Sequence, residues 1–203
     1  MSAPVPEYKS AKYESLDRWI SYYRQIQEVL SLRPANLLEI GKGSGLVSTV
    51  LKSRGLDVTS LDIDPDVKPD VVGSVLELPF EAKTFDVTLC AEVLEHLPFE
   101  DFPKALAEIR RVTRRAVVLS LPNWGWTFWL GLKLPMLPKF DLFWKLTGIL
   151  KHPPGGEHFW EIGKRGYPLR RISAAIEAAG FRVRETYLKP DSPYHRFFLL
   201  EIV

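Results

Sequence analysis

The 203-residue sequence contains a single cysteine, Cys90. One cysteine excludes both an internal disulfide framework and a four-cysteine metal site. The chain begins with MSAPVPEYKSAKYES, which lacks the apolar core of a signal peptide. We therefore expect a cytoplasmic protein.

The sequence also lacks an excess of either charge. Its 27 basic and 25 acidic side chains leave a net charge of +2. Bulk electrostatics therefore indicate neither a nucleic-acid-binding nor a membrane-binding protein. With 13 glycines, 16 prolines and 46% hydrophobic residues, the composition is not collagenous, disordered or transmembrane. The length fits one compact domain, residues 1–203.

Apolar patterning predicts an α/β fold. Helical periodicity over about 16–34, 46–54, 99–113 and 169–179 alternates with short apolar runs at 36–40, 57–61, 70–72, 85–89 and 116–119. Runs that are apolar throughout are typical of parallel strands buried between helix layers. Two further runs, 181–188 and 194–203, are joined by a link too short for a parallel crossover. We predict a doubly wound, mostly parallel seven-stranded sheet with the last strand antiparallel.

The pattern divides the domain into four parts. They are an N-terminal arm and helix (1–34), a ligand-binding core (35–123), an aromatic cap inserted after the fifth strand (124–163), and a C-terminal helix and strand pair (164–203). The arm, residues 1–14, is polar and aperiodic. The cap contains four prolines between Pro135 and Pro154 and five of the six tryptophans, and we expect no regular strand in it.

The motif LLEIGKGSGLVS, residues 37–48, lies between a predicted strand and a predicted helix. Gly41, Gly43 and Gly45 would let the backbone approach a ligand closely, and the helix start would offer free amide donors. The third glycine of a dinucleotide fingerprint would fall at Leu46, so the spacing disfavours a pyrophosphate. Asp62, at the tip of the second strand, suits both hydroxyls of a ribose; taken by itself, it could instead be a helix cap or a solvated loop acid.

Four ordered blocks give the sequence a family resemblance. They are EIGKGSG (39–45), SLDID (60–64), VVGSVLELPF (71–80) and FDVTLCAEVLEHLP (85–98). The chain resembles a small, single-domain class I S-adenosylmethionine-dependent methyltransferase with a Rossmann-like fold. The resemblance implies S-adenosylmethionine as cofactor, bound by Glu39, Gly41, Lys42, Gly43, Gly45, Asp62, Ile63, Ser74, Val75, Cys90, Ala91 and Glu92. Within this set, Asp62 would hold the ribose, Ile63 an adenine face, and Ser74 with Val75 the adenine edge.

Two positions depart from the family pattern. Many relatives have Asp where Ser74 stands, which weakens the expected contact to the adenine amino group. Lys42 replaces a small or uncharged residue; it could pair with the methionine carboxylate, but a solvated lysine is the simpler interpretation. Cys90 is expected to pack as a small apolar residue rather than to react.

The histidines at positions 96, 152, 158 and 195 lack metal-ligand spacing, so no metal site is predicted. A hydroxyl acceptor would need a base, for which we nominate His158 first and His96 second. His96 is expected mainly to organise its loop. The arginines at 110, 111, 114 and 115 are assigned to a helix C-terminus rather than to RNA. Lys164, Arg165, Arg170 and Arg171 could steer an anionic substrate or face an acidic membrane, or form a solvated surface.

The aromatic cap allows three interpretations: a lid packed on the sheet, a cover for a hydrophobic substrate pocket, or an interfacial segment in contact with lipid headgroups. We predict in-line methyl transfer to a small-molecule or lipid-like acceptor. The alternatives are a nicotinamide-dependent oxidoreductase and a noncatalytic binding module. A nucleic-acid partner is not expected, and the acceptor and the oligomeric state are left open.

Overall fold

A computed structural model describes residues 15–136, 140–153 and 156–203. The N-terminal arm predicted over residues 1–14 lies outside the described part of the chain. The helices are α1 (Leu16–Leu32), α2 (Leu46–Ser53), α3 (Phe102–Val112) and α4 (Leu169–Ala178). The strands are β1 (Asn36–Ile40), β2 (Asp57–Asp62), β3 (Val71–Val72), β4 (Phe85–Ala91), β5 (Thr113–Pro122), β6 (Trp126–Leu132), β7 (Phe140–Leu146), β8 (Phe181–Lys189) and β9 (Ser192–Ile202).

Seven strands form one sheet in the order β3-β2-β1-β4-β5-β9-β8. The strands from β3 to β5 pair in parallel, and β9 is antiparallel to both neighbours, which confirms the predicted fold class. Ile40, at the end of β1, pairs with Leu61 on one side and Cys90 on the other. The chain order reverses around β1 and β4, and ligands bind at the carboxyl ends of the strands at such a switch point.

Two hydrophobic clusters cover the sheet. The larger one includes Ile109 of α3 and Ile172 of α4, and the smaller one includes Val29 of α1 and Leu51 of α2. The strands that lie between the two clusters are buried on both faces, as their continuous apolar runs predict. This double burial gives the strand ends a rigid base.

Several predicted boundaries shift. The helix expected over 99–113 is a 3₁₀ turn at Phe99–Asp101 followed by α3, and β5 begins at Thr113. Arg114 and Arg115 therefore lie on β5 and not at a helix end, because pairing of Thr113 with Phe85 extends the strand backwards. All four arginines are engaged within the fold, with partners that include Gly180, Glu108, Asn36 and Asp86.

The expectation that the cap has no regular strand is wrong. β6 and β7 form an antiparallel hairpin that is a separate two-stranded sheet. Pro135 follows the end of β6, where the missing amide hydrogen costs no ladder bond. Trp160, assigned to the cap, instead lies fully buried in the larger core cluster, and its Nε1 donates to the Leu97 carbonyl at 3.1 Å.

α1 is amphipathic as predicted, but two of its aromatic residues face outwards. Trp19 and Tyr23 are exposed, whereas Gln25, Ile26 and Val29 are buried. Among the described residues, no helix combines the length and hydropathy needed to cross a membrane.

Candidate active site

The glycine loop connects β1 to α2 at the carboxyl edge of the sheet. Gly41, Gly43 and Gly45 have φ angles of 81°, 51° and 74°, in the left-handed region that glycine adopts without strain. A Cβ on Gly41 would lie 2.3 Å from Cγ2 of Val93, in the segment after β4. The loop is therefore folded tightly against that segment, and it leaves the amides at the start of α2 for a ligand.

Asp62 ends β2 beside this loop and is buried. Its Oδ2 accepts a hydrogen bond from the Gly43 amide at 3.2 Å, and its Oδ1 accepts one from the Asp64 amide at 3.0 Å. These two bonds fix the carboxylate and leave lone pairs for hydroxyl donors. The next residue, Ile63, is 73% exposed and presents an apolar surface beside the carboxylate.

Glu39 lies buried at the end of β1 with its Oε2 unpaired. Burial raises the pKa of its carboxyl to about 7, although a hydrogen bond involving Ser48 and the charge of Lys42 oppose the shift. A buried carboxyl with one unpaired oxygen beneath a ligand loop suits an ammonium group. Glu39, the fixed carboxylate of Asp62 and the exposed side chain of Ile63 surround the glycine loop. Together with the loop amides they offer the hydrogen-bond donors, acceptors and apolar surface that fit S-adenosylmethionine.

The other predicted cofactor residues differ in accessibility. The ammonium of Lys42 donates to the carbonyl of Lys68, so it is held at the loop rather than freely solvated. The Ser74 hydroxyl accepts a hydrogen bond from the Leu76 amide at 3.2 Å, and Val75 is buried. Cys90 is fully buried, and burial raises the pKa of its thiol. The side chain packs in the core, as the sequence predicts, so a contact of Cys90 with the cofactor would be made by its backbone and stays a prediction.

Ala91 and Glu92 follow Cys90 and are partly exposed. Glu92 has a φ of 54°, which is uncommon for a non-glycine residue and is found at functional sites. Its Oε1 accepts a hydrogen bond from the Ser120 hydroxyl at 2.8 Å. This bond between the ends of β4 and β5 orients the Glu92 carboxylate.

A second group of polar side chains comes from the segment before α4 and from β9. The Nδ1 of His158 lies 3.0 Å from Oε1 of Glu161, and the hydroxyl of Tyr194 donates to the same oxygen at 2.9 Å. Burial opposes ionisation of Glu161, but these two hydrogen bonds outweigh it and lower the pKa of its carboxyl. Burial and the charge of Glu161 raise the pKa of Tyr194. Glu161 is therefore the anion of this group.

Glu95 and His96 complete the group. Glu95 is fully buried, both of its carboxylate oxygens are unpaired, and its Oε1 lies 3.9 Å from Nε2 of His158. Burial, with the charge of Glu92, raises the pKa of Glu95 well above its ordinary value. The Nδ1 of His96 lies 2.9 Å from the Glu157 carbonyl, and its ring meets that of His158 edge-on at 4.8 Å. Burial and the neighbouring His158 lower the pKa of His96.

Spacing along the chain predicted no metal site, yet the fold brings Glu95, His96 and His158 together. One ligand atom from each lies within 4.8 Å of the others. Such a set could also hold a divalent metal ion. Sequence spacing does not find it because the residues come from two distant segments.

Sequence reasoning missed Glu95, Glu161 and Tyr194 as site residues. Glu161 had a usable signal, because it follows His158 by three residues. Glu95 was within the quoted EHL segment, but nothing in the sequence indicated that its carboxyl would be buried without a partner. Tyr194 lies on β9 and had no local signal.

Comparisons with known proteins agree with this geometry. The family model described as "Methyltransferase domain" matches residues 38–121. The chain is 30% identical over 180 residues to a ubiquinone biosynthesis O-methyltransferase of Bordetella avium, covering 79% of this chain and 70% of that protein. The corresponding protein of Rickettsia bellii is 26% identical over 126 residues, half the length of each chain.

Solved structures show the same fold. The magnesium protoporphyrin IX methyltransferase of Synechocystis PCC 6803, crystallised with bound SAH, superposes with a TM-score of 0.63 at 14% identity, covering 93% of this chain and 84% of that one. A protein from Pyrococcus horikoshii OT3 superposes with a TM-score of 0.65 at 13% identity, covering 98% and 95%. The chain belongs to the class I S-adenosylmethionine-dependent methyltransferases, and S-adenosylmethionine is its cofactor.

Proposed function

We propose that this protein methylates a hydroxyl group of a small, lipid-like acceptor, with His158 as the general base. The observation that carries the proposal is the 3.0 Å contact between Nδ1 of His158 and the Glu161 carboxylate. A carboxylate that accepts from one imidazole nitrogen holds the ring in the tautomer whose other nitrogen has a free lone pair.

The cofactor supplies an electrophilic methyl group when it is bound. The protein then has to hold the acceptor oxygen in line with that methyl group, exclude water and remove the hydroxyl proton. The side chain of His158 is 19% exposed, so it is accessible from solvent rather than sealed in the core. Burial, with the charge of Glu92, raises the pKa of Glu95, whereas the pKa of Glu161 is lowered, so Glu161 is the stronger candidate for the anion beside the ring.

The two sequence-nominated bases differ in their partners. His158 is paired with a carboxylate, whereas His96 contacts the carbonyl of Glu157. Because an anion stabilises the imidazolium that forms during proton transfer, His158 suits the role of base, and His96 suits that of positioning the loop that carries Glu157.

The acceptor class is supported by the relatives. Those from Bordetella avium and Rickettsia bellii are named as O-methyltransferases of ubiquinone biosynthesis, which favours an oxygen acceptor on an apolar molecule. The nicotinamide alternative loses its basis, because the glycine spacing departs from the dinucleotide fingerprint and the family match is to methyltransferases.

The test compares wild type with His158→Asn and Glu161→Gln. Methyl transfer from labelled S-adenosylmethionine is measured to a simple catechol, an aniline and a thiophenol of similar size. We expect transfer to the catechol alone, a roughly 100- to 10,000-fold lower kcat in His158→Asn, and a smaller loss in Glu161→Gln. Calorimetric titration with S-adenosylhomocysteine should give the same Kd in all three proteins. Full catechol methylation by His158→Asn, or preference for the aniline, would contradict the proposal.

A further inference from the structure

The β6–β7 hairpin has one face made entirely of large apolar side chains. We define this apolar face as the alternate residues from Trp126 to Leu132 on β6 and those from Phe140 to Leu146 on β7, which pair directly across the ladder. The eight side chains are 44 to 62% exposed. Phe128 and Trp144 stack at 4.9 Å with an angle of 13°, which confirms that they share this face. None of the described residues of the hairpin belongs to either core cluster.

The opposite face is mixed and attaches the hairpin to the rest of the protein. The Trp129 Nε1 donates to the Asp141 carboxylate at 2.9 Å across the strands. Lys145 turns inwards and donates to the carbonyls of Asn123 and Pro193. Burial, with the nearby Arg196, lowers the pKa of Lys145 to about 8. These bonds fix the base of the hairpin and leave the apolar face turned away from the sheet.

The charge around the hairpin is positive. The segment 124–151 contains four lysines and one aspartate, whereas the whole chain has a net charge of only +2, so the remainder is slightly acidic overall. Lys133 and Lys151, near the two ends of the hairpin, are exposed. Tryptophan, leucine and lysine on one surface are typical of segments at a lipid headgroup layer.

We propose that the apolar face lies flat on an anionic lipid bilayer. Within the described part of the chain, β6 and β7 form a two-stranded sheet of their own, so each strand has an outer edge. Such edges cannot enter the hydrocarbon region, but they stay hydrated when the hairpin sits at headgroup depth. The lysines at its ends then face anionic headgroups.

A lipid surface fits this face better than a second copy of the chain. In a two-fold dimer each apolar face would meet itself. The exposed lysines at the ends of the two hairpins would then be brought near each other, at an electrostatic cost. An anionic bilayer instead attracts the same lysines.

The proposal is independent of the reaction, but the position is consistent with a lipid-like acceptor. The hairpin follows the carboxyl end of β5, the edge of the sheet that also carries the glycine loop. The amide of Trp124, two residues past the end of β5, donates to the carbonyl of Ile162, next to Glu161. Docking through the hairpin would thus bring the carboxyl edge towards the bilayer.

The test measures sedimentation of the full chain with vesicles of phosphatidylcholine, with or without an equal share of phosphatidylglycerol. We compare wild type with Phe128→Ser/Trp144→Ser, with Lys133→Glu/Lys151→Glu and with Tyr23→Ser, an exposed aromatic on α1 that serves as the matched control. We expect binding to the anionic vesicles, reduced at least about tenfold by removing two large apolar side chains. The lysine variant should lose the preference for anionic vesicles, and Tyr23→Ser should bind like wild type.

Three results would overturn the proposal. They are absence of wild-type binding to anionic vesicles, unchanged binding by Phe128→Ser/Trp144→Ser, and a wild-type dimer in sedimentation velocity that this variant converts to monomer without any vesicle binding. Calorimetric titration with S-adenosylhomocysteine shows that each variant is folded. Since vesicle binding is measured without an acceptor, failure of this proposal is distinct from failure of the proposed reaction.

Discussion

Asp62 is held by backbone amides of two different turns, one in the glycine loop and one in its own. This makes its position independent of side-chain flexibility. A carboxylate fixed in this way can accept from a ligand without a further loss of conformational freedom.

Replacement of Asp62 tests that role. We expect Asp62→Ala to weaken binding of S-adenosylhomocysteine by roughly 1 to 3 kcal/mol, because charge-assisted hydrogen bonds to hydroxyls are lost. Isothermal titration calorimetry measures the change, and Asp66→Ala, an exposed acid in the following turn, is the control. Equal affinity of Asp62→Ala and wild type would show that the ribose is held elsewhere.

Glu39 predicts a pH dependence of stability. Its pKa is about 7 in the folded protein against an ordinary 4.5, so between these values the folded state holds a proton that the unfolded state has released. Stability from this group is therefore present below about pH 4.5 and is lost as the pH rises through 7, by on the order of 3 kcal/mol.

Glu39→Gln removes this titration. Urea unfolding of the cofactor-free protein at pH 5 and pH 8 should show a drop in the free energy of unfolding that is smaller in the variant than in wild type. An identical drop in both proteins would mean that Glu39 does not titrate in this range.

At the scale of elements, the glycine loop and the segment after β4 fit together through Gly41 and Val93. The left-handed backbone at Gly41 and the nearness of Val93 are separate constraints on the same position. Substitutions can measure the energetic cost of each constraint separately.

We expect Gly41→Ala to destabilise the fold by roughly 2 to 4 kcal/mol, from backbone strain plus the clash with Val93. Gly55→Ala is the matched control, since its φ of 84° is similar but nothing lies within 4 Å of the added Cβ; it should cost about 1 to 2 kcal/mol. Thermal and urea unfolding provide the values. In Gly41→Ala/Val93→Ala, the destabilisation caused by the alanine at position 41 should fall to that of Gly55→Ala. If it does not fall, the clash with Val93 is not the cause.

Elements were predicted with uneven success. The alternation of strand and helix from β1 to β4 was found because each run is short, apolar throughout and bounded by glycine or a polar residue. The hairpin was missed because its prolines were weighed as strand breakers, whereas Pro135 lies just beyond β6 in the connection. The antiparallel register of β6 and β7 places alternate side chains of both strands on the same side, so that one face of the hairpin is apolar and the other is mixed.

At the scale of the whole molecule, the hairpin is an addition to a complete core. Replacing residues 126–146 with a short Gly-Ser linker should leave the Tm within roughly 5 °C of wild type, because no residue that the structure describes in this range belongs to a core cluster. The affinity for S-adenosylhomocysteine should be unchanged. Circular dichroism and calorimetry measure both quantities, and loss of cooperative unfolding would show that the hairpin belongs to the core.

The sequence by itself determined most of the individual strands and helices, the glycine loop, the acidic residue at the end of β2 and the cofactor class. Each of these depends on neighbours along the chain, through backbone dihedral limits and apolar periodicity. Only the tertiary structure decided that Glu95, His158, Glu161 and Tyr194 lie together, and that an apolar face stays uncovered. Those features depend on how distant segments pack around the two faces of the sheet, which local spacing does not encode.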